Sequence, residues 1–191
     1  MSLFSTKNLA SQALPEAENS SFLLQHFKPN KVHFAQDDDL SDVIEILNDD
    51  EMIIFWTKGR WSMHQLIKHL LGITGPSDVT LCTWALTEKP LRVIHNLKET
   101  GQIKNLVGLF EHKIKTRGSA FAFAQQFFDE ILLTKCHAKV TILEGEKLSV
   151  SIMASANLTQ NRRIEAGVIF CNKAAAIANK NYMTDGEFTR S

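Results

Sequence analysis

Four residues of one stretch, 136–170 (CHAKVTILEGEKLSVSIMASANLTQNRRIEAGVIF), have the types and spacing to handle a phosphate: His137, Lys139, Ser155 and Asn157. HAKVTIL alternates as a β-strand does, and side chains at i and i+2 of a strand share a face, about 6.6 Å apart along it. His137, Lys139 and Thr141 therefore point one way, and Ala138, Val140 and Ile142 the other. Glu144-Gly145-Glu146-Lys147 reads as a polar turn. The run after it, LSVSIMASAN, puts Ser151, Met153, Ser155 and Asn157 on one face. A hairpin then brings His137 and Lys139 beside Ser155 and Asn157. An ammonium and an amide there can hold the non-bridging oxygens of a phosphodiester, and an imidazole can attack phosphorus or protonate a leaving oxygen.

His137-x-Lys139, an acidic residue after four more positions, Ser155-x-Asn157 and Glu165 before an apolar strand resemble the signature of the phospholipase D superfamily, phosphodiesterases and nucleases that share the His-x-Lys motif. The match is close over residues 136–170. Before them, only the order of strands and helices is similar. Glu144 stands where the family has Asp, Ala154 stands where it usually has Gly, and the segment from Glu144 to Ser155 is longer than the usual pattern. The resemblance implies a mixed sheet flanked by helices and a metal-independent reaction. Family members use two His-x-Lys motifs, because one His cannot be nucleophile and leaving-group acid in the same step. Those with a single motif resemble one another in completing the site as a homodimer. His33, His64, His69, His95 and His112 lack Lys two positions on, so one motif per chain is expected.

The resemblance thus implies a two-fold dimer. One His137 would attack phosphorus to form a phosphohistidine, and the partner's His137 would protonate the leaving oxygen. Lys139 and Asn157 would hold the phosphate, Glu165 would accept the other ring N–H of a His137, and Ser155 would assist. Arg162 and Arg163, and Lys58 and Arg60 in an earlier basic turn, are candidate contacts to substrate phosphates. Trp56, Trp61 and Trp84 read as core side chains ahead of base-stacking platforms, and Phe121, Phe123, Phe127 and Phe128 as helix packing or dimer contact. No metal or cofactor is called for. His64 and His69 do not have the i, i+4 spacing that aims two ligands at one ion.

The net charge of zero hides an asymmetry. Residues 1–51 carry 10 acidic and 3 basic side chains, and residues 52–191 carry 11 acidic and 18 basic ones. A basic body suits an anionic substrate such as nucleic acid, although so mild an excess also serves as a solvated surface, and the resemblance, whose single-motif members look like small nucleases acting on DNA, puts DNA ahead of RNA. No sequence-reading helix or zinc finger is evident. The rival reading is a catalytically weak or inactive DNA-binding or assembly module, for which Glu144, Ala154 and the longer hairpin speak. At 191 residues and 44% apolar the chain can bury a substantial core. No apolar run approaches the ~20 residues of a membrane span, and the first residues lack the basic and apolar blocks of a secretory leader. Cys82, Cys136 and Cys171 lack metal-type spacing and read as reduced, buried thiols. A cytoplasmic protein that does not engage membranes is expected.

Positioning these groups requires a scaffold. Residues 1–30 read as a tail or docking segment and 31–191 as the domain. Strands are expected at 31–34, 52–56, 79–86 and 105–110. Between them fall helices at 39–47, from Ser62 to the break at Gly75-Pro76, and from Pro90 to about residue 100. A long helix over 118–134 then leads into His137. The hairpin, a strand EAGVIF and a short helix over 172–182 complete the chain, with frayed last residues. This is the order of an α/β fold with a mixed, largely parallel sheet covered by helices on both faces.

Overall fold

The computed structural model describes residues 31–35, 40, 44, 47–116, 118–160, 162–185 and 188–190. Among these residues, the short β-branched and apolar runs of the sequence become nine strands. They are β1 (Lys31–Ala35), β2 (Glu51–Trp56), β3 (Ser77–Thr83), β4 (Ile103–Glu111), β5 (Glu130–Thr134), β6 (Val140–Gly145), β7 (Ser149–Ala154), β8 (Ala166–Cys171) and β9 (Thr189–Arg190). They form one sheet in the order β1-β2-β8-β7-β6-β3-β4-β5-β9. The sheet is mixed, as expected. It is not largely parallel: β1–β2, β3–β4 and β4–β5 pair parallel, and the other pairings are antiparallel. The cause is the hairpin β6–β7, which with β8 enters as an antiparallel block between β2 and β3.

Among the described residues, the α-helices α1 (Met63–Thr74), α2 (Glu88–Glu99), α3 (Ser119–Ala124) and α4 (Lys173–Thr184) cover both faces. Leu66, Ile67, Leu70 and Leu71 recur at helical spacing in α1 and are all buried. Its start is fixed where Ser62 N–H donates to Gln65 Oε1 at 2.9 Å, and it ends at Gly75, which has φ 78° and donates its N–H to Leu71 O. With Leu91 and Ile94 of α2 and Phe121 of α3, α1 packs on Phe55, Leu81, Phe110 and Ile152 of the sheet. Each such side chain contributes on the order of 1.5–3 kcal/mol through burial. On the opposite face α4, capped where Asn172 Oδ1 accepts Ala175 N–H, buries Ala176 and Met183 against Cys82, Val107, Leu109, Leu132 and Ile142.

Three local expectations fail. The helix over 118–134 stops at Ala124, and Glu130–Thr134 is a strand parallel to β4. Asp129 fixes the change. Its carboxylate accepts Leu106 N–H at 2.7 Å and Lys98 Nζ at 2.5 Å, and its own N–H donates to Leu106 O at 2.9 Å. That places the next residues in register with β4, where Ile131, Leu132 and Leu133 are buried. Sheet pairing overrides the helix preference of the Ala, Gln and Leu residues. The end of the chain is not frayed throughout, since Thr189 and Arg190 pair with Leu133 and Leu132. The expected strand over 79–86 runs from Ser77 to Thr83, which frees Trp84 from the sheet. The docking segment 1–30 and most of the helix over 39–47 lie outside the described residues. In the latter, Ile44 N–H donates to Leu40 O.

Candidate active site

The strand β6 begins at Val140, opposite Met153 of β7, and the ladder continues one step outward, where Ala154 N–H donates to Lys139 O at 3.1 Å. His137 and Lys139 therefore stand on the lead-in to β6 rather than within it. His137 is exposed and Lys139 half-buried. Lys139 Nζ donates to His137 O at 2.6 Å and lies 3.0 Å from His137 Nδ1 and 3.4 Å from Nε2. The ring of Trp84 lies against that of His137, with centroids 5.4 Å apart and planes tilted by 53°.

Beyond the end of β7, Ser155 Oγ donates to Glu165 Oε2 and accepts Ala166 N–H at 3.1 Å. The backbone of Glu165 is clamped by Thr57: Thr57 N–H donates to Glu165 O at 2.8 Å, and Glu165 N–H to Thr57 Oγ1 at 3.0 Å. Thr83 Oγ1 lies 3.3 Å from Asn157 Oδ1 and accepts Leu158 N–H at 3.2 Å. Since Trp84 touches His137 and the preceding residue holds Asn157, the end of β3 ties the two halves of the cluster together. Imidazole and ammonium on one side, and hydroxyl, carboxylate and amide on the other, thus lie at the same open end of the hairpin, around the C-terminal ends of β2 and β3. This is where ligands bind on open α/β sheets. The set can bind an anion and exchange protons with it.

Two basic turns rim this end. Lys58 and Gly59 take positive φ, 46° and 74°, so the turn between β2 and α1 folds back on the loop before β8. A Cβ on Gly59 would lie 2.3 Å from Arg162 O, and Thr57 Oγ1 donates to Arg163 O at 3.3 Å. Lys58, Arg60, Arg162 and Arg163 are all exposed on these touching turns, beside the Ser155–Glu165 pair.

Glu144 does not belong to the cluster. It sits at the far end of β6, opposite Ser149, with Oε2 2.5 Å from Lys180 Nζ of α4, an ion pair off the hydrogen-bonding direction. The exchange of Asp for Glu therefore falls on a structural contact. Of the tryptophans, Trp61 is core, packed on Phe55 at 5.2 Å. Trp56, expected in the core, is 52% exposed. Phe121, Phe127 and Phe128 are buried, and Phe123 packs partly buried against the same cluster. Cys136, expected to be buried, is half exposed.

Sequence reasoning passed over Thr57 and Thr83, which hold Glu165 and Asn157, and read Trp84, which lies against His137, as a core side chain. The signal was position: Thr57, Thr83 and Trp84 lie at or just past the C-terminal ends of β2 and β3, the strands that flank the β8–β7–β6 block. It also passed over a second His-x-Lys, His26-Phe27-Lys28, which lies outside the described residues and is not followed by a Ser-x-Asn. Among the described residues no three His, Cys, Asp or Glu side chains converge to hold a metal ion, and no helix is long and apolar enough to cross a membrane.

The chain matches no protein-family model and no curated protein, but its fold recurs among solved structures. NucT from Helicobacter pylori superposes with a TM-score of 0.55 over 71% of this chain and 94% of its own, at 13% identity. A polyphosphate kinase from Porphyromonas gingivalis gives 0.52 at 10% identity over 73% of this chain, which spans 27% of the kinase. A phosphatidylserine synthase from Haemophilus influenzae gives 0.51 at 13% identity over 68% of this chain and 37% of the synthase. The chain therefore has a phospholipase D-like α/β fold, a mixed sheet with helices on both faces.

Proposed function

We propose that this chain is a phosphodiesterase of the phospholipase D type, an endonuclease that cleaves DNA without a metal through a phosphohistidine in a homodimeric site. The observation that carries the reading is the convergence of His137 and Lys139 with Ser155–Glu165 and Asn157 at one strand end, rimmed by four exposed cations. A backbone phosphate held by Lys139 and Asn157 presents its phosphorus to a His137 ring nitrogen. That nitrogen forms the N–P bond as the P–O bond to the leaving group breaks, and the partner's His137 gives the leaving oxygen its proton. Water then attacks the phosphohistidine, losing a proton to the partner's His137 and releasing the first. Arg162, Arg163, Lys58 and Arg60 hold the flanking backbone, so affinity falls with salt. A reaction that needs one imidazole as nucleophile and the other as acid gives a bell-shaped pH profile.

Two copies of His137 can reach one phosphate only if the open ends of the hairpins face each other. A sheet face available for this lies beside them. Ile54, Val168 and Met153 form a cross-strand row, Met153 is 39% exposed, and Trp56 stands just beyond. The proposed dimer buries this row.

The test is cleavage of plasmid and single-stranded DNA in excess EDTA, comparing wild type, His137→Ala and His26→Ala. Cleavage lost in His137→Ala alone supports the dimeric reading. Loss in both variants points to a pair of motifs within one chain. DNA bound but never cut by the wild type favours the non-catalytic binding or assembly module, and cleavage abolished by EDTA rejects the metal-free scheme.

A further inference from the structure

The residue before His137 is Cys136, and its sulfur is not isolated. Cys82 Sγ, at the end of β3, lies 3.2 Å from Cys136 Sγ and 3.7 Å from Ala138 O. Cys82 is buried on the α4 face of the sheet, while Cys136 is half exposed. The backbone at Cys136 is fixed, its N–H donating to Glu111 Oε2 at 2.9 Å. Two sulfur atoms inside van der Waals contact, on segments held by hydrogen bonds, need a small displacement to reach the ~2.05 Å of a disulfide. Cys171 differs in kind, being fully buried in β8.

We propose that Cys136 and Cys82 are a peroxide-oxidisable dithiol built onto the lead-in to His137. The Cys136 thiolate attacks one oxygen of hydrogen peroxide, forming an S–O bond as the O–O bond breaks and hydroxide leaves. The Cys82 sulfur then attacks the resulting sulfenic acid, forming the S–S bond as the S–O bond breaks. The hydroxyl leaves as water, taking up the Cys82 proton. The two thiols lose two electrons together, and the peroxide is reduced to two waters. Cys136 is the attacking group because it is the accessible one, and Cys82 resolves because it already touches that sulfur.

The electrostatics agree with this division. The hydrogen bond with Cys82 draws the Cys136 thiol down to about 6, Lys139 assisting while burial and Glu111 oppose. The same hydrogen bond, with burial, pushes Cys82 up. Burial pushes Cys171 up to about 12, with Glu51 and Asp49 adding to it, which makes it an inert internal control. Closing the disulfide draws the residue before His137 toward the end of β3, where Trp84 meets the imidazole.

The test is intact mass of the reduced full-length chain after stoichiometric hydrogen peroxide, with remaining thiols alkylated by iodoacetamide in denaturant. The expected product carries one carbamidomethyl group, at Cys171, with the Cys82 and Cys136 peptides cross-linked. Cys82→Ser is expected to accumulate a sulfenic acid at Cys136 that dimedone traps, and Cys136→Ser to take no dimedone. The native chain should be alkylated first at Cys136, with a rate that rises through pH about 6. Three carbamidomethyl groups after peroxide, or cross-links only between chains, overturn the proposal. The readout needs no cleavage activity, so it stands or falls apart from the phosphodiesterase reading.

Discussion

At its open end the β6–β7 hairpin carries His137, Lys139, Ser155 and Asn157, and at its closed end Glu144, Gly145, Glu146 and Lys147. Seven residues of extended chain, about 23 Å, separate His137 from Glu144. The closed end is bound on every side: Glu144 to Lys180, Glu146 to Lys104 at 2.6 Å, and Gly145 against Thr74, where a Cβ would lie 2.7 Å from Thr74 O. The open end is held by the loop before β8 and the end of β3, through Glu165, Thr83 and Trp84, and leaves His137 and Ser155 exposed. One hairpin thus holds a bound end that fixes register and an unfilled end that presents polar groups. An acidic residue can belong to a motif's spacing without belonging to its site.

On the proposed reading, the largest effects of substitution fall at the open end. His137→Ala is expected to lower cleavage by about 10³-fold or more, with the melting temperature unchanged because the side chain is exposed. Lys139→Ala is expected to cost about 10²-fold by removing a cation from the phosphate. Both are checked by initial cleavage rates beside thermal melts. Loss of fold in His137→Ala would erase the contrast between the two ends. Next in size is Gly59→Ala. The new methyl has no room beside Arg162 O, and φ of 74° is strained for any side chain. The change is expected to cost about 1–3 kcal/mol and to displace both basic turns. It would therefore weaken DNA binding and lower the salt slope, as read by fluorescence anisotropy at several salt concentrations.

The open end was legible because its residue types are rare together; the strand period of two did not phase them, since Thr141 pairs with Ile152 and Val140 with Met153, which sets Lys139 and Met153 on opposite faces. Strands 31–34, 52–56 and 105–110 were legible as short apolar runs between turns. What failed was decided at long range. The helix over 118–134 is locally plausible, and only Asp129, reaching Leu106 and Lys98, shows why it stops. Thr57 and Thr83 were missed, and Trp84 was read as core, because their roles depend on which strands become neighbours. Asp129 supplies a smaller prediction. Burial alone would raise its carboxyl, but Lys98 and the Leu106 N–H outweigh that and hold it below the usual range. A folded-state pKa lowered in this way contributes stability above the unfolded value of about 3.9 and loses it as pH falls below that value. Asp129→Asn is expected to cost about 1 kcal/mol at pH 7. Its deficit should shrink below pH about 4, as seen by urea denaturation at pH 7 and pH 3.

The smallest expected effect sharpens the comparison most. Glu144→Asp restores the residue that the signature would have and shortens the side chain by one methylene, drawing the carboxylate away from Lys180. If the closed end is structural, the cleavage rate should stay within about twofold. Stability should fall by about 0.5 kcal/mol, the scale of a half-solvated ion pair, and Lys180→Ala should do the same without adding to it. The charge at position 144 lies too far along β6 to hold a phosphate or orient an imidazole at His137. A rate change of tenfold or more in Glu144→Asp, with stability unmoved, would mean that the closed end reaches the chemistry after all. Such coupling would have to pass through the β6–β7 register, since Val140–Glu144 is paired residue by residue with Ser149–Met153 and any slip of one strand moves Lys139 relative to Ala154 and Ser155.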